Sequence, residues 1–454
     1  MATTNDMVAG DYQLQDVVLF GQMLPRLSIR RMMVELNIYE SINTPYMSGN
    51  VIIADTMNHR SNMSITGQEE IEFTLRTNDT SDFIDFTTHR ARIYKISNII
   101  PVSNTEQTYT LHFVSIDAMR NSQLRVKGAY KGSSDQIIAK VMSETIKTSK
   151  SLSVEESNKF LHLQGNNMYP FEFIRMAAKK SISTQHNAVS YSFFENHRGY
   201  IFSSKSALFK KNRVEDRDVV ERFHTAYQRP RVDTPEEMKT LKSVSIVSTQ
   251  DTIRDNANGL LNNTHYTYNR TNKSFSKSIS SYETYINRTS LSGSPLYTGT
   301  PEIDDKGITD FPDSTISVSS KDPYINTQSS TDSTDYSNTG ELQPDQFRGT
   351  SSYGIKLKIE MHGNSNIAAG DIIHITMPNY EPIINASDEK TYDVFLTGNY
   401  LVESINHRVD NNAYVTTCEV IRNSVETTYE SNDQSIAENN KNRYKTPTSV
   451  VNRL

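Results

Sequence analysis

Residues 355–362 read IKLKIEMH, and this stretch decides the fold class because its apolar residues fall at every second position. A β-strand points successive side chains to opposite faces, so a period of two predicts a strand with one buried face. The residues predicted to face inward are Ile355, Leu357, Ile359 and Met361. The same period recurs elsewhere in the chain, which favours a β-rich protein.

The alternation continues on the C-terminal side of this stretch. Residues 372–377, 399–409 and 413–421 repeat it, and the last two runs are separated only by the turn-forming residues Asp410, Asn411 and Asn412. A short turn between two alternating runs is typical of an antiparallel hairpin. We therefore predict a β domain over residues 347–425, followed by a polar C-terminal tail over 426–454.

Alternation also dominates the first 124 residues. The residues of two strands predicted to lie on one face are Val34, Leu36, Ile38, Ile71, Phe73 and Leu75. Two further runs, 90–99 and 108–116, flank the polar stretch 101–107, which suits a hairpin connection. The sequence predicts an antiparallel sheet or barrel over residues 1–124.

The period changes to that of helices in the next part of the chain. Ser133 and Ser134 precede a run of apolar residues at helical spacing that ends near Met142, which predicts an N-capped amphipathic helix. Pro170 suits the first position of a second helix, where its missing N–H costs nothing. Two strands, 188–194 and 200–203, are predicted next, joined by a turn-rich connection. We predict an α+β middle domain over residues 125–261.

Periodicity disappears between residues 262 and 346, where Ser, Thr, Asn, Asp and Tyr dominate. A structureless connection of this length is uncommon inside a compact domain and is typical of a partner-binding segment. Four aromatic residues could anchor it on a neighbour: Tyr282, Tyr285, Tyr297 and Phe311. We predict an extended polar arm or insertion that orders only in an assembly.

The composition bounds the remaining possibilities. A chain of 454 residues has room for about three domains, and its 35% apolar content with mean hydropathy −0.59 agrees with a polar insertion. No run of apolar residues reaches the length of a membrane span, and the first residues lack the features of a signal peptide, so we expect a soluble protein. Cys418 is the only cysteine, which excludes an intrachain disulfide. The net charge of −6 argues against a dedicated nucleic-acid binder.

No pattern in the sequence predicts a catalytic, cofactor or metal site. The eleven histidines include no pair at the i, i+4 spacing of zinc hydrolases, and neither a nucleophile elbow nor a phosphate-binding glycine loop is present. Glu69 and Glu70 are adjacent, so a strand would point them to opposite faces. Cys418 is predicted to be a buried packing residue. The basic run 205–217 could bind an acidic partner, although its interspersed acidic residues weaken that interpretation.

Three groups of short stretches resemble one known family. In the N-terminal part these stretches are 39–42, 47–55 and 65–69; next come 88–99 and 109–119; and in the C-terminal part they are 357–363, 368–373, 398–402 and 405–407. The turn residues that carry the likeness are Gly49, Asp55, Gly67, Glu69, Gly363, Gly370, Asp371 and Gly398. Together these stretches resemble the baseplate central hub protein of T-even-type contractile-tailed bacteriophages, which is related to the hub part of type VI secretion spikes. Residues 262–346 match no part of that pattern.

The resemblance implies a β-rich α+β fold in which two tail-tube-like antiparallel β-barrel domains flank the α+β middle domain. It also implies a homotrimeric ring that adapts the sixfold tail tube to the threefold, trimeric tail spike protein. Further implied partners are the baseplate wedge proteins and the phage genomic DNA, which would pass through the lumen without sequence-specific binding. The implied location is the virion tail baseplate, with assembly in the host bacterial cytoplasm, no membrane insertion, no cofactor and no enzymatic activity.

Other functions stay open at this point. A tube-terminal or wedge protein of the tail would carry similar strands, and a tail-associated cell-wall hydrolase or an adhesin is a more distant alternative. Three copies would carry a charge of −18, three times the −6 of one chain, so we expect a lumen that repels DNA.

Overall fold

The fold is known from a computed structural model, in which strands outnumber helices, as the sequence predicts. The described residues are 10–21, 26–77, 82–158, 160–186, 189–210, 220–225, 237–269, 273–282, 294–295, 297, 305–308, 310–320, 354–378, 392–393, 395–410 and 413–425. The predicted tail 426–454 lies outside this set. None of the described helices has the length and apolar character needed to cross a membrane.

The N-terminal part of the chain forms ten strands and one short helix within the described residues. They are β1 (Tyr12–Leu14), β2 (Val18–Phe20), β3 (Leu27–Ser28), β4 (Met33–Ser41), β5 (Ser48–Asp55), α1 (His59–Asn62), β6 (Glu70–Glu72), β7 (Thr74–Thr77), β8 (Ile84–Asp85), β9 (Ala91–Pro101) and β10 (Gln107–Val114). Seven of the strands form a sheet in the order β4-β5-β10-β9-β6-β2-β3, and β1, β7 and β8 form a second one. The hairpin predicted around residues 101–107 joins β9 to β10.

The residues predicted to face inward in this part are buried, with one exception. The fully buried ones are Leu36, Ile38, Ile71, Phe73 and Leu75. Val34 is 39% exposed, so its predicted place on the buried face is wrong. The pairing of β4 with β5 shifts between Met33 and Glu35, which makes Val34 the extra residue of a β-bulge and turns its side chain out of the alternation.

The next part of the chain mixes helices with short strands and has its own apolar cluster. Its elements are α2 (Ile116–Gln123), β11 (Ala129–Ser133), α3 (Ser134–Lys140), β12 (Leu152–Val154), β13 (Phe160–Gln164), α4 (Pro170–Ala178), β14 (Tyr191–Asn196), β15 (Gly199–Ser204) and α5 (Lys205–Lys210). Ser133 caps α3 through a capping box with Gln136, and Pro170 begins α4, both as predicted. The helix α3 continues as a π-helical turn, Val141–Ile146, which buries Ile146.

The rest of the chain contributes one α-helix and eleven strands to the described residues. These are β16 (Glu221–Thr225), β17 (Thr240–Ser248), α6 (Thr252–Ala257), β18 (Asn262–Asn269), β19 (Ser274–Ser281), β20 (Ser294–Pro295), β21 (Ile316–Ser320), β22 (Ile355–His362), β23 (Ile372–Thr376), β24 (Gly398–Asp410), β25 (Tyr414–Arg422) and β26 (Ser424–Val425). The alternating stretch IKLKIEMH is β22, and its four predicted inward residues are all buried.

Six of these strands close into a barrel. Their order is β23-β16-β17-β22-β25-β24, and pairing between β23 and β24 completes the circle. The strands β16 and β17 fall within residues 125–261, the interval predicted for the middle domain, yet they hydrogen-bond in this barrel. On its outer side β24 also pairs with β4 through Ser404 to Asp410, so the barrel wall and the N-terminal sheet are continuous.

Part of the predicted polar arm is folded. The strands β18, β19 and β21 form a three-stranded sheet in the order β19-β18-β21, which the sequence did not predict. Its residues are mostly Ser, Thr and Tyr, and its few alternating apolar side chains are exposed: Phe275, Ile279, Ile316 and Val318. So short and sparse an alternation does not stand out in a polar segment. Tyr282 and Tyr297 pack edge to face within this segment, 5.6 Å between ring centres, and so anchor it internally. Tyr285 and residues 321–353 lie outside the described residues.

Candidate assembly site

Two glycines of the predicted set allow close approach of neighbouring strands. At Gly49 a Cβ atom would lie 2.2 Å from the Phe113 ring and 2.4 Å from the Asn37 carbonyl oxygen. At Gly363 it would lie 2.0 Å from the Tyr414 ring. Real Cβ atoms do not approach other atoms this closely, so each position needs glycine for packing.

Two carboxylates of the predicted set organise turns in the N-terminal sheet. Glu69 accepts hydrogen bonds from the backbone N–H groups of Gly67 (2.9 Å) and Thr66 (2.6 Å), and Gly67 has a φ of +90° that favours glycine. Asp55 accepts from the backbone N–H groups of Met57 and His59 at the end of β5. Burial raises the pKa of the Asp55 carboxyl, but the hydrogen bonds from His59 and its neighbours outweigh burial and lower the pKa to about 2.

The corresponding turn of the barrel precedes β23. Gly370 also has a φ of +90°, and a Cβ there would lie 2.7 Å from the Phe194 ring. The Asp371 carboxylate accepts a hydrogen bond of 2.9 Å from the backbone N–H of Ala368. Gly398, with a φ of +144°, begins β24. These predicted residues therefore shape turns and strand ends in the barrel.

The turn between β14 and β15 connects the middle part of the chain to both β regions, and we call this set of contacts the joint. The Arg198 guanidinium forms two hydrogen bonds with the Asp371 carboxylate, at 2.9 and 3.0 Å, on the barrel side. Its Nε donates to Asp82, 2.8 Å away, on the side of the N-terminal sheet. One planar cation thus holds two carboxylates from distant parts of the chain.

A buried carboxylate lies at the centre of the joint. Glu40 Oε1 accepts hydrogen bonds from the backbone N–H and the Nδ1 of His197, at 3.0 and 2.9 Å, and Oε2 accepts from the backbone N–H of Ala369 at 3.1 Å. Burial raises the pKa of Glu40, but the contacts with His197 outweigh it and the pKa falls below its usual range. The β4 strand, the β14–β15 turn and the barrel therefore meet on one side chain.

Two further buried polar side chains, Glu195 and His407, extend the joint. The Glu195 carboxylate forms an ion pair with Lys150 and accepts a hydrogen bond of 3.0 Å from the backbone N–H of Met47. His407 of β24 is fully buried with its Nδ1 2.7 Å from the Tyr414 hydroxyl, and burial lowers its pKa to about 4. Buried polar groups that pair in this way favour one relative arrangement of the parts they connect. The Nε2 atoms of His197 and His407 are buried without a hydrogen-bond partner among the described residues.

The joint was not identified from the sequence, although one signal pointed to it. In the alternation of β4, position 40 follows Leu36 and Ile38 on the buried face, and that position is occupied by a charged residue. A charge at an inward position of a strand requires a partner. The partners, His197 and Ala369, lie far away in the sequence, so only the fold shows them.

A small cavity of about 140 Å³ opens beside the joint. Its lining includes Phe86, Lys150, Glu195 and Arg198, and the charged members already pair with other groups. Within the described residues, no group of three or more His, Cys, Asp or Glu side chains could hold a metal ion. The cavity is thus part of the joint.

The other residues weighed for chemistry have structural surroundings. Lys205 is buried in α5, and burial lowers its pKa to about 8, so it does not contribute to an exposed basic patch. Lys211, Arg213 and Arg217 lie outside the described residues. Glu69 is buried whereas Glu70 pairs with Arg90 and Arg92, which places the two carboxylates apart as predicted. Cys418 is buried as predicted, and burial raises the pKa of its thiol.

Two strands present main-chain edges at the surface. Beyond Arg92, β9 pairs only with β10, and beyond Leu241, β17 pairs only with β22, within the part of the chain that the structure describes. We call residues 95–101 of β9 and 243–248 of β17 the free edges. They carry large apolar side chains that are about half exposed: Ile99, Ile100, Ile246 and Val247. An exposed edge with apolar side chains is a site for pairing with another strand.

The β-rich architecture, with few helices and a closed six-stranded barrel, is similar to that of tail proteins of known structure. The 43 kDa tail protein of prophage MuSo2 from Shewanella oneidensis superposes with a TM-score of 0.51 at 8% identity, covering 90% of this chain and 98% of that one. The tail protein from Neisseria meningitidis MC58 gives 0.50 at 9% identity, covering 90% and 96%. The chain therefore has the fold of phage tail proteins, and the predicted resemblance is confirmed at that level.

A third structure, the E. coli c3393 protein, a component of the type VI secretion system, gives a TM-score of 0.40 at 9% identity, covering 86% of this chain and 73% of that one. No family model matches the sequence, and no curated protein matches it either.

Proposed function

We propose that this chain is the structural hub of a phage tail baseplate and has no catalytic activity. Three copies would form a ring that adapts a sixfold tail tube to a threefold spike, with a channel for genomic DNA. Its partners would be two further copies, the trimeric spike protein, the tail tube and the wedge proteins. The chain would act in the virion tail after assembly in the host cytoplasm.

The observation that carries the proposal is the fold shared with two tail proteins over nearly their whole length. A fold hosts several functions, so the surface has to support the specific role as well. The joint supports it, because a subunit of a closed ring needs its parts held at one angle. The free edges support it too, because strand pairing between copies closes rings without a hydrophobic core at the interface.

Mass measurement and imaging test the hub role directly. We expect multi-angle light scattering to give three times the 51.6 kDa chain mass at micromolar concentration, and negative-stain class averages to show a threefold ring. A hexamer would instead favour the tube-terminal protein. A form that joins only the outer baseplate in a reconstituted tail would favour the wedge protein. Hydrolysis of host cell wall in a gel assay would contradict the non-enzymatic assignment.

The charge of the ring bears on DNA passage. Three copies carry −18, three times −6, and like charge keeps a polyanion from adhering to a channel wall. We expect double-stranded DNA to show no retention by the trimer at about 50 mM salt in a mobility-shift assay, a condition at which phosphate contacts are strong. Tight binding that weakens steeply with salt would contradict a repelling lumen.

A further inference from the structure

The N-terminal sheet and the barrel repeat one arrangement of six strands. In chain order the two sets are β2, β4, β5, β6, β9, β10 and β16, β17, β22, β23, β24, β25. In space the first set is ordered β4-β5-β10-β9-β6-β2, and the second β17-β22-β25-β24-β23-β16. Member by member, the two orders are the same. They differ in that β2 is antiparallel to β6 whereas β16 is parallel to β23, and in that only the barrel pairs its end strands within the described residues.

Irregular features of the two sets also coincide. The bulge at Val34, between β4 and β5, has its counterpart at Lys242, between β17 and β22. The bulge at Tyr94, between β9 and β10, has its counterpart at Glu403, between β24 and β25. Because a bulge adds one residue at a particular place in a pair of strands, the two shared bulges align the sets. Each free edge also has one further bulge without a counterpart in the other set: β9 has an extra residue between Ser97 and Ile100, and Val247 is an extra residue of β17.

This alignment gives the free edges equivalents that are already paired. Counted through their partner strands, residues 404–409 of β24 correspond to 95–101 of β9, and residues 35–39 of β4 correspond to 243–248 of β17. In both cases the free edge holds one residue more than its equivalent. Within one chain, the β24 segment pairs antiparallel with the β4 segment across the joint. The equivalent segments of β9 and β17 lie in different sets and pair only with β10 and β22 in the described residues.

We propose that the free edge of β9 in one copy pairs antiparallel with the free edge of β17 in a second copy. The register follows from the joint, where Asn406 lies opposite Tyr39 and Arg408 opposite Asn37. The equivalent partners are Ser97 opposite Ser248 and Ile100 opposite Ser245. This pairing would cover the half-exposed Ile246 and Val247, at 51% each, and Ile100, at 57%.

The contact is head to tail, because one copy contributes β9 and the other β17. Such a contact closes into a ring when its rotation divides a circle, and otherwise grows as a filament. We call each such pairing of two strands a seam. In a closed ring, the β4–β24 seam within each chain would alternate with an equivalent β9–β17 seam between chains. The inference rests on the proposed function for the number of copies, whereas the identity of the paired strands stands on the internal repeat alone.

Disulfide trapping tests the register. In Ser97→Cys with Ser248→Cys, directly opposed cysteines fall within bonding distance, so mild oxidation should link more than half of the chains into dimers and trimers. The matched control replaces Ser248→Cys by Val318→Cys, a strand residue exposed to 69% on the sheet of β18, β19 and β21. It should link at least tenfold less. Cys418 is buried and does not compete.

Mixing the two single variants separates the geometries. A head-to-tail contact predicts heterodimers of Ser97→Cys with Ser248→Cys and no homodimers of either. Homodimers linked through residue 97, or equal linking in the control pair, would overturn the inference. Failure of the two cysteines to link would also overturn the inference. If light scattering still gave a trimeric mass, the proposed function would stand and only the assignment of β9 and β17 to the interface would be rejected. Linked β9 and β17 in a filament would keep the inference and reject the ring.

Discussion

Replacing Glu40 by Gln should destabilise the whole chain, since this one carboxylate accepts three hydrogen bonds at the joint. The amide keeps one acceptor oxygen, so it cannot serve His197 on one side and the Ala369 N–H on the other. Its NH₂ group would face one of these donors. Breaking a buried charge network costs roughly 3–5 kcal/mol, and a single unsatisfied buried group about 1–3 kcal/mol. Because the amide side chain would retain part of the network, we expect a loss of about 3 kcal/mol.

Urea unfolding, followed by far-UV circular dichroism, measures this loss at neutral pH. Glu144→Gln is the matched control, because Glu144 is exposed on the π-helical turn and lies 4.0 Å from Lys140. An exposed pair of this kind contributes at most about 0.5 kcal/mol. The urea concentration at the unfolding midpoint should therefore be well below that of the control for Glu40→Gln. The dependence of the free energy of unfolding on urea should be unchanged if both variants unfold from the same folded state.

A specific result would refute the reasoning on the joint. If Glu40→Gln unfolded within about 1 kcal/mol of the wild type, the three hydrogen bonds could not be what holds β4, the β14–β15 turn and the barrel together. Glu40→Ala then decides between two explanations. An equally small effect would mean that the joint contributes little, whereas a large one would mean that a water molecule or a local shift satisfies the donors that the amide leaves.

Three further predictions concern single residues. Gly363→Ala should cost about 1–3 kcal/mol through its clash with the Tyr414 ring, and an unchanged melting temperature in thermal melts would contradict this. The pKa of Asp55 is lowered from 3.8 to about 2, so its contribution to stability is present above pH 3.8 and lost as the pH falls towards 2. The difference in free energy of unfolding between wild type and Asp55→Asn should become smaller as the pH falls over that range. A constant difference would contradict this role of Asp55. His407 has its pKa lowered from 6.5 to about 4, so on acidification the unfolded chain binds a proton first and stability drops between pH 6.5 and 4. His407→Gln should make the free energy of unfolding depend less on pH over that range. An unchanged dependence would show that His407 is not its source.

The longer strands of the N-terminal sheet and four of the six barrel strands could be predicted because their two faces differ strongly in hydropathy, whereas β16 and β17 were not predicted. In β22, buried Leu357 and Ile359 alternate with Lys356 and Lys358, and the pattern specifies the structure. Where that contrast is missing, as around Thr264 and Tyr266 in β18, the strand could not be predicted. The bulges could not be predicted from the sequence either, because an extra residue such as Val34 looks like any other member of an alternating run.

The site was less predictable than the strands. The turn residues Gly67 and Gly370 were named from the family resemblance alone, and their φ of +90° gives a physical reason for glycine at both positions. The joint could not be predicted, since Arg198 meets Asp82 and Asp371 across large gaps in the sequence. Even the internal repeat escaped detection, because it is a repeat of strand order and bulge position. Both are properties of pairing, and few residue types are shared between equivalent positions.

The joint and the free edges have to act together if the ring exists. Each chain would contain one complete seam, between β4 and β24. It would also contribute one strand, β9 or β17, to each of two seams with neighbouring copies. A ring closes without strain only if the complete seam holds the angle that the other seams require. The strand pairing alone allows twist, because adjacent strands rotate relative to each other over a wide range. Glu40 and Arg198 remove that freedom by tying the β14–β15 turn to both sides. Glu40→Gln should consequently weaken trimer formation as well as stability, although residue 40 belongs to neither free edge.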